Sequence, residues 1–187
     1  MPNPVMDAIA SRRSVRRYET KPVPPKLVSE LLRAAVASPS AMNRQHWRFV
    51  VVSDKERIKE LSDAVKRLFN PHGFTRQIAE RFKNKEYTVF YGAPLLILVC
   101  ADRHSSRWAE IECGIAAENM LLAAHSLGLG SCFVGLGQTL NSDRLLLSAL
   151  GIPDDHEIIA PLVFGYPAEK TPAPARTFED KVLNRIG

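Results

Sequence analysis

Residues 117–132 read Ala-Glu-Asn-Met-Leu-Leu-Ala-Ala-His-Ser-Leu-Gly-Leu-Gly-Ser-Cys, the end of a long apolar helix followed at once by a strand. Between Arg107 and Leu127 apolar side chains fall on most faces of the helix, so it must be buried in a core or against a second subunit. Gly128 stands just after the last turn, where a left-handed residue closes a helix. Ser131 to Val134 then reads as a strand.

Outward from this stretch, Trp47 to Val52, Leu95 to Cys100 and Ile158 to Phe164 are further β-rich runs. The second of them is continuously apolar after Ala93-Pro94, as a buried strand is. A first helix is predicted after Asn3-Pro4, with Val5 and Ile9 on one face, and a second from Pro25 to Ala37. Ser53 with Glu56 makes a capping box for a third, carried by Ile58, Leu61, Val65 and Leu68 and broken at residues 70–73. Ser142 or Asn141 is the expected cap of a helix ending at Gly151-Ile152-Pro153. Residues 74–88 are polar and predict a weak helix or a mobile lid. Strands and helices alternate without strict βα order, which makes the class α+β with a mixed sheet. Residues 1–187 are expected as a single domain, with 165–187, rich in proline, as an extended C-terminal arm wrapping over a surface.

A chain of 187 residues can bury a sizeable core, and 45% hydrophobic with 24% charged residues is the balance of a globular protein in water. The longest apolar candidate for a membrane span, Ile111 to Leu129, is interrupted by Glu112, Glu118, Asn119 and His125. Met1 to Ala10 has no sustained apolar core of a leader, so the expected location is cytoplasmic, with no membrane partner. Cys100, Cys113 and Cys132 form no CxxC and no zinc spacing, and are expected as buried, reduced thiols. The net charge of +5 is modest, and Arg12, Arg13, Arg16 and Arg17 lie within one short stretch. That pattern is a local anion site rather than a broad nucleic-acid face, and no nucleic-acid partner is expected.

Two segments carry the chemistry. Arg12-Arg13-Ser14-Val15-Arg16 clusters guanidinium groups around a hydroxyl, which suits a phosphate. Read alone, it better suits a solvated basic helix end, and only the motifs further along the chain favour the phosphate. Residues 39–47, Pro-Ser-Ala-Met-Asn-Arg-Gln-His-Trp, offer a turn and two carboxamides for the edges of a flat heterocycle. Trp47 is expected to be a core residue of the following strand. A dinucleotide fingerprint is missing, because Gly128-Leu129-Gly130-Ser131-Cys132-Phe133 has phenylalanine where the third glycine belongs and follows a helix. Phe69, Phe74, Tyr87 and Tyr91 are candidates for an aromatic substrate wall, or for ordinary packing.

Taken in order, these pieces resemble the nitroreductase-like family of flavin enzymes. The resemblance rests on Arg12 to Arg16, on Pro39-Ser40-Ala41 with Asn43, Gln45 and Trp47, and on Ala93-Pro94. It continues through Ala117 to Ala124, Gly128 to Cys132, and Gly165-Tyr166-Pro167, covering nearly the whole chain. It implies a mixed, mainly antiparallel central sheet flanked by helices, with the long buried helix at a homodimer interface. It implies bound FMN, electrons from NADH or NADPH, and onward transfer to nitroaromatic, quinone or similar small-molecule acceptors. A flavin-binding sensor or carrier without turnover is the alternative, motivated by the short 66–91 segment.

By position, the resemblance gives Arg12 and Ser14 to the FMN phosphate, with Arg13 nearby, and Arg16 to the pyrimidine edge. Pro39, Ser40 and Ala41 would line the flavin from the other subunit, with Asn43 and Gln45 bonding polar ring edges. Val134, Gly135, Leu136 and Gly137 would bring backbone close to the ring, and Arg176 in the tail would reach the phosphate, ahead of Lys170. A fixed cation near the ring favours hydride acceptance, and no side chain need act as nucleophile or as any other catalytic group. His46 stands where proline is usual in the family, and Glu118 where glutamine is common.

Overall fold

A computed structural model describes residues 3–70, 80–82, 84, 86–102, 104, 106–172 and 181–186. Helices α1 (Pro4–Ser11), α2 (Pro25–Val36), α3 (Lys55–Leu68), α4 (Ala109–Ser126) and α5 (Arg144–Ala149) surround strands β1 (Arg48–Val52), β2 (Leu95–Ala101), β3 (Gly130–Phe133) and β4 (Glu157–Gly165). The strands form one sheet in the order β1-β2-β4-β3, and every neighbouring pair is antiparallel. Ile97 stands opposite Val51 on one side and Leu162 on the other, and Cys132 opposite Val163. A parallel bridge between Ser14 and Ser131 extends the β3 edge, so the sheet is mixed but mainly antiparallel.

The two central strands are buried along almost their whole length because both faces are covered. Alternate residues of β2 point opposite ways. Leu95, Ile97, Val99 and Ala101 pack with Leu31, Met120 and Leu121 of α2 and α4. Leu96, Leu98 and Cys100 pack with Leu61 and Val65 of α3 and with Leu140 and Leu147. Trp47 lies in the first of these cores at 3% exposure, as expected of it. Gly128 adopts φ 75 and Leu129 N–H returns to the Ala124 carbonyl at 2.8 Å, the closure that the sequence predicts.

Two helix starts differ from expectation by a residue. Asp54, not Ser53, caps α3 by accepting from Arg57 N–H at 2.7 Å. Asp143, not Ser142 or Asn141, caps α5. Asn141 instead pairs with Ile158 in both directions, donating to its carbonyl and accepting from its N–H, and so ties residues 135–142, a 3₁₀ stretch, to β4. Of residues 74–88, expected as a weak helix or a mobile lid, 74–79, 83 and 85 lie outside the described residues. The start of the arm runs beside residues 17–19, with Glu19 N–H donating to the Tyr166 carbonyl and Ala168 N–H to the Arg17 carbonyl.

Candidate functional site

Arg12 ends α1, and its φ −56, ψ 142 sends the chain into extended backbone. Val15 N–H then bonds the Ser131 carbonyl at 2.9 Å, which lays the basic segment along the free edge of β3. Alternation along this extended run separates Arg12, Ser14 and Arg16 from Arg13, Val15 and Arg17. The first set meets Cys132, whose thiol donates to the Phe133 carbonyl at 3.4 Å: Ser14, Arg12 and Arg16 each favour its ionised form. Arg13 takes a different role, donating to the Ala10 and Arg12 carbonyls at 2.7 and 2.6 Å and thereby closing the end of α1. Arg17 pairs with Glu169 of the arm at 3.3 Å.

Arg16 faces the ring of Tyr91 at 5.9 Å and donates to the Ser14 carbonyl at 3.3 Å. Tyr91 has φ 57, a left-handed conformation unfavourable for a residue with a bulky side chain. Burial raises the Tyr18 phenol far above its ordinary range, and its hydroxyl donates to the Val15 carbonyl at 2.7 Å. Burial also raises the Cys132 thiol, against the opposing pull of Arg16, Ser14 and Arg12. Both groups therefore stay neutral near pH 7, and the charge of this cluster is that of its arginines.

The turn after α2 is fastened to α4. Ser38 is buried and accepts from Asn119 Nδ2 at 2.8 Å, and Ala41 N–H donates to Glu112 Oε1 at 2.8 Å. Ser40 Oγ accepts from Gln45 N–H at 3.1 Å, and Gln45 Nε2 donates to Asn43 Oδ1 at 3.0 Å. Glu112 and Asn119 lie two turns apart on one face of α4, whereas Glu118, which pairs with Arg12, and His125, bonded to Ser11, lie on another. One helix thus carries both predicted segments on separate faces. Within one chain Pro39, Ser40, Ala41, Asn43 and Gln45 form one group, and Arg12, Ser14 and Arg16 a second.

Val134 N–H is bonded to the Pro161 carbonyl and Gly137 N–H to the Val134 carbonyl, each at 2.8 Å. The 3₁₀ geometry leaves the amides of Gly135 and Leu136 without an acceptor inside the turn. A Cβ on Gly137 would lie 2.7 Å from Pro161, while one on Gly135 would meet only Phe133 at 3.9 Å. Gly137 is thus a packing glycine, and Gly135 faces open space.

A cavity of about 290 Å³ opens beside the basic segment, lined by Arg12, Arg13, His125, Ser131 and Lys170 among others. Arg176 lies outside the described residues, as does Phe74. Phe69, Phe82 and Tyr87 make a cluster of mutually tilted rings, with centroids 4.4 and 5.7 Å apart in succession. Among the described residues no cluster of His, Cys, Asp and Glu could hold a metal ion, and no helix is long and apolar enough to cross a membrane. Sequence reading missed Glu112 as a tether of the turn, and Tyr18 and Phe82 as members of these clusters. The available signal for Glu112 was an acid at a helix position otherwise surrounded by core residues.

The arrangement suits a phosphate-tailed, flat ligand. The test is Arg12: its buried Nε has no aligned hydrogen-bond partner among the described residues and only an ion-pair contact with Glu118 Oε1 at 3.2 Å, so the guanidinium keeps donors for a further anion.

Comparison with known proteins gives concordant matches. The family model described as "Nitroreductase family" matches residues 9–166. A relative from Methanothermobacter thermautotrophicus bearing the joint name NADH dehydrogenase/NAD(P)H nitroreductase is 31% identical over 169 residues, covering 88% of this chain and 78% of its own. The FMN reductase [NAD(P)H] of Bacillus subtilis is 25% identical, with 96% of this chain and 72% of its own covered. A crystal structure of a nitroreductase with bound FMN from Bacteroides fragilis superposes with a TM-score of 0.87 at 31% identity, covering 100% of both chains.

Proposed function

The chain belongs to the nitroreductase family, and from that premise we propose how its residues serve an FMN-dependent NAD(P)H oxidoreductase. Arg12 and Ser14 hold the FMN phosphate, and Arg16 presents its charge to the pyrimidine edge. When bound, FMN supplies the hydride chemistry, accepting from NADH or NADPH and passing electrons to nitroaromatic, quinone or similar acceptors. The observation that carries the assignment is the alternation of the extended segment, which sets Arg12, Ser14 and Arg16 on one side of it, all three acting on Cys132.

The chain's own contribution is placement and electrostatics. Fastening residues 14–15 to β3 fixes the spacing of the basic side chains. Neutral Tyr18 and Cys132 leave the positive charge of Arg16 uncancelled. Pro39, Ser40 and Ala41, with Asn43 and Gln45, line the flavin of the partner subunit, which requires a homodimer. The separate faces of α4 that hold the two segments support this, as do the exposed Ile111 and Ile115 on α4 and Val5, Met6 and Ile9 on α1. Gly135 and Leu136 offer their amides to the ring, with Val134 and Gly137 shaping that turn, and Arg176 in the arm reaches the phosphate. Residues 1–187 act as one domain, with the start of the arm lying along residues 17–19 of the same chain. Buried free thiols at Cys100, Cys113 and Cys132 fit work in the reducing cytoplasm.

The purified protein is expected to carry FMN and to oxidise NADH or NADPH when a nitroaromatic or quinone is added. Rapid bleaching of the flavin by NAD(P)H in stopped flow distinguishes turnover from a passive carrier, which would not bleach. Arg12→Ala should weaken FMN binding more than Lys55→Ala, and equal flavin content in the two variants would refute the phosphate assignment.

A further inference from the structure

Glu118 Oε1 stands 3.2 Å from Nε of Arg12, with the acid's side chain 45% exposed and that of the arginine 18%. The pair is close enough for strong attraction, yet Nε is not aligned for a hydrogen bond. Among the described residues the terminal nitrogens of Arg12 make no hydrogen bond. The guanidinium is a flat fork, so an anion at its Nε edge fixes the plane and aims the terminal nitrogens away from itself. That anion also offsets the charge a phosphate would bind.

We propose that Glu118 is a positioning residue for the phosphate arginine, and that its charge keeps bound FMN more loosely held, and more readily exchanged, than a neutral residue there would. The inference rests on the reading that the flavin phosphate binds Arg12. Two roles of opposite sign meet in one side chain. The carboxylate orients Arg12, which favours binding, and it repels the phosphate dianion beyond, which opposes binding. Glutamine keeps an oxygen at the Nε edge and removes the repulsion, whereas alanine removes both. Because Glu118 is half exposed, screening by water and salt limits the repulsion to a modest factor.

The test titrates the apoprotein with FMN and with riboflavin, which lacks the phosphate, at low salt and at about 1 M salt, where screening acts within about 3 Å. Glu118→Gln is expected to bind FMN about five- to tenfold tighter at low salt, with the gain in a slower release rate and lost at high salt. Its riboflavin affinity should match wild type. Glu118→Ala should bind FMN more weakly than Glu118→Gln, because Arg12 is no longer aimed. An unchanged or weaker FMN affinity in Glu118→Gln overturns the proposal, and equal affinities for the two variants overturn the positioning role. Arg12→Ala separates this from the underlying reading. If that variant loses the preference for FMN over riboflavin while Glu118→Gln is silent, only the Glu118 proposal falls. If it keeps the preference, the phosphate is not at Arg12 and both fall.

Discussion

The Ala41 N–H donates to Glu112 Oε1 across 2.8 Å, joining an exposed turn to a carboxylate that is 97% removed from solvent by its 3% exposure. The turn needs that anchor. Met42, Asn43 and Gln45 have φ of 55, 55 and 52, left-handed values that a chain without glycine adopts only when its surroundings enforce them. Ser40 and Ser38 supply the other restraints, through Gln45 and Asn119. A preformed turn is what a flat ligand needs from backbone that must not reorganise on binding.

Removing the anchor should therefore act on both stability and binding. Glu112→Ala is expected to cost about 1–3 kcal/mol, from an unpaired N–H and a cavity. Urea unfolding of the apoprotein would read this loss. Flavin content should fall further than stability alone accounts for, and Glu112→Gln, which keeps an acceptor, should recover most of both. A fully loaded Glu112→Ala protein would show that the turn does not contact the flavin.

The two glycines of the 135–137 turn should separate packing from binding. Gly137→Ala forces a Cβ to 2.7 Å from Pro161, a rigid ring in β4 that cannot turn aside. It is expected to destabilise the apoprotein by about 1–3 kcal/mol. Gly135→Ala meets nothing nearer than 3.9 Å and should leave the apoprotein's melting temperature nearly unchanged. Any loss it causes should appear as weaker flavin binding, measured by titration. A destabilised Gly135→Ala apoprotein would contradict this division.

Buried thiols should make the protein sensitive to alkali. Burial, then the charge of Cys113, pushes Cys100 from 9.0 up to about 12. Burial, then Glu112 and Glu110, pushes Cys113 from 9.0 up to about 12. Below pH 9 both thiols are protonated folded and unfolded, and they contribute no pH dependence. Above it the unfolded chain loses protons that the folded chain retains, so stability falls as pH rises towards 12, by about 1.4 kcal/mol per pH unit per thiol. Urea titrations from pH 8 to 10.5 should show this slope, and Cys100→Ser with Cys113→Ser should flatten it.

Much of the fold was legible in sequence, and so was the grouping of residues 39–45, and the limits have a physical origin. Local chemistry announces itself in sequence: Gly128 as a left-handed helix end, Trp47 as a core residue, and Leu95 to Cys100 as a strand covered on both faces. The misplaced caps at Ser53 and Ser142 failed because adjacent polar residues are equally able to cap, and only the backbone path selects Asp54 and Asp143. Spacing shows that Arg13 is near Arg12 and Ser14, but not that its guanidinium turns back onto the Ala10 and Arg12 carbonyls. The tethers Glu112 to Ala41 and Glu118 to Arg12 join residues far apart in the chain, so no window of sequence contains both partners.

The last expectation concerns the face that one chain leaves uncovered. Ile111 and Ile115 stand one turn apart on α4 at 55% and 36% exposure, and Gly114 beside them leaves open space. Val5, Met6 and Ile9 of α1 add 63%, 58% and 46% exposed apolar side chains, and α1 packs against α4. Apolar groups gathered on neighbouring helices are stabilised by a covering surface. Ile111→Glu should leave the single chain folded, since that residue already faces water there. In a dimer it places a charge in the covered face, at a cost of about 3 kcal/mol, or roughly 100-fold in association. Sedimentation should show dissociation at micromolar protein with unchanged helical circular dichroism. On the proposed reading, in which each site draws the Pro39 to Gln45 turn from the other subunit, flavin should leave with the partner. An Ile111→Glu protein that remains a fully loaded dimer would place the interface elsewhere.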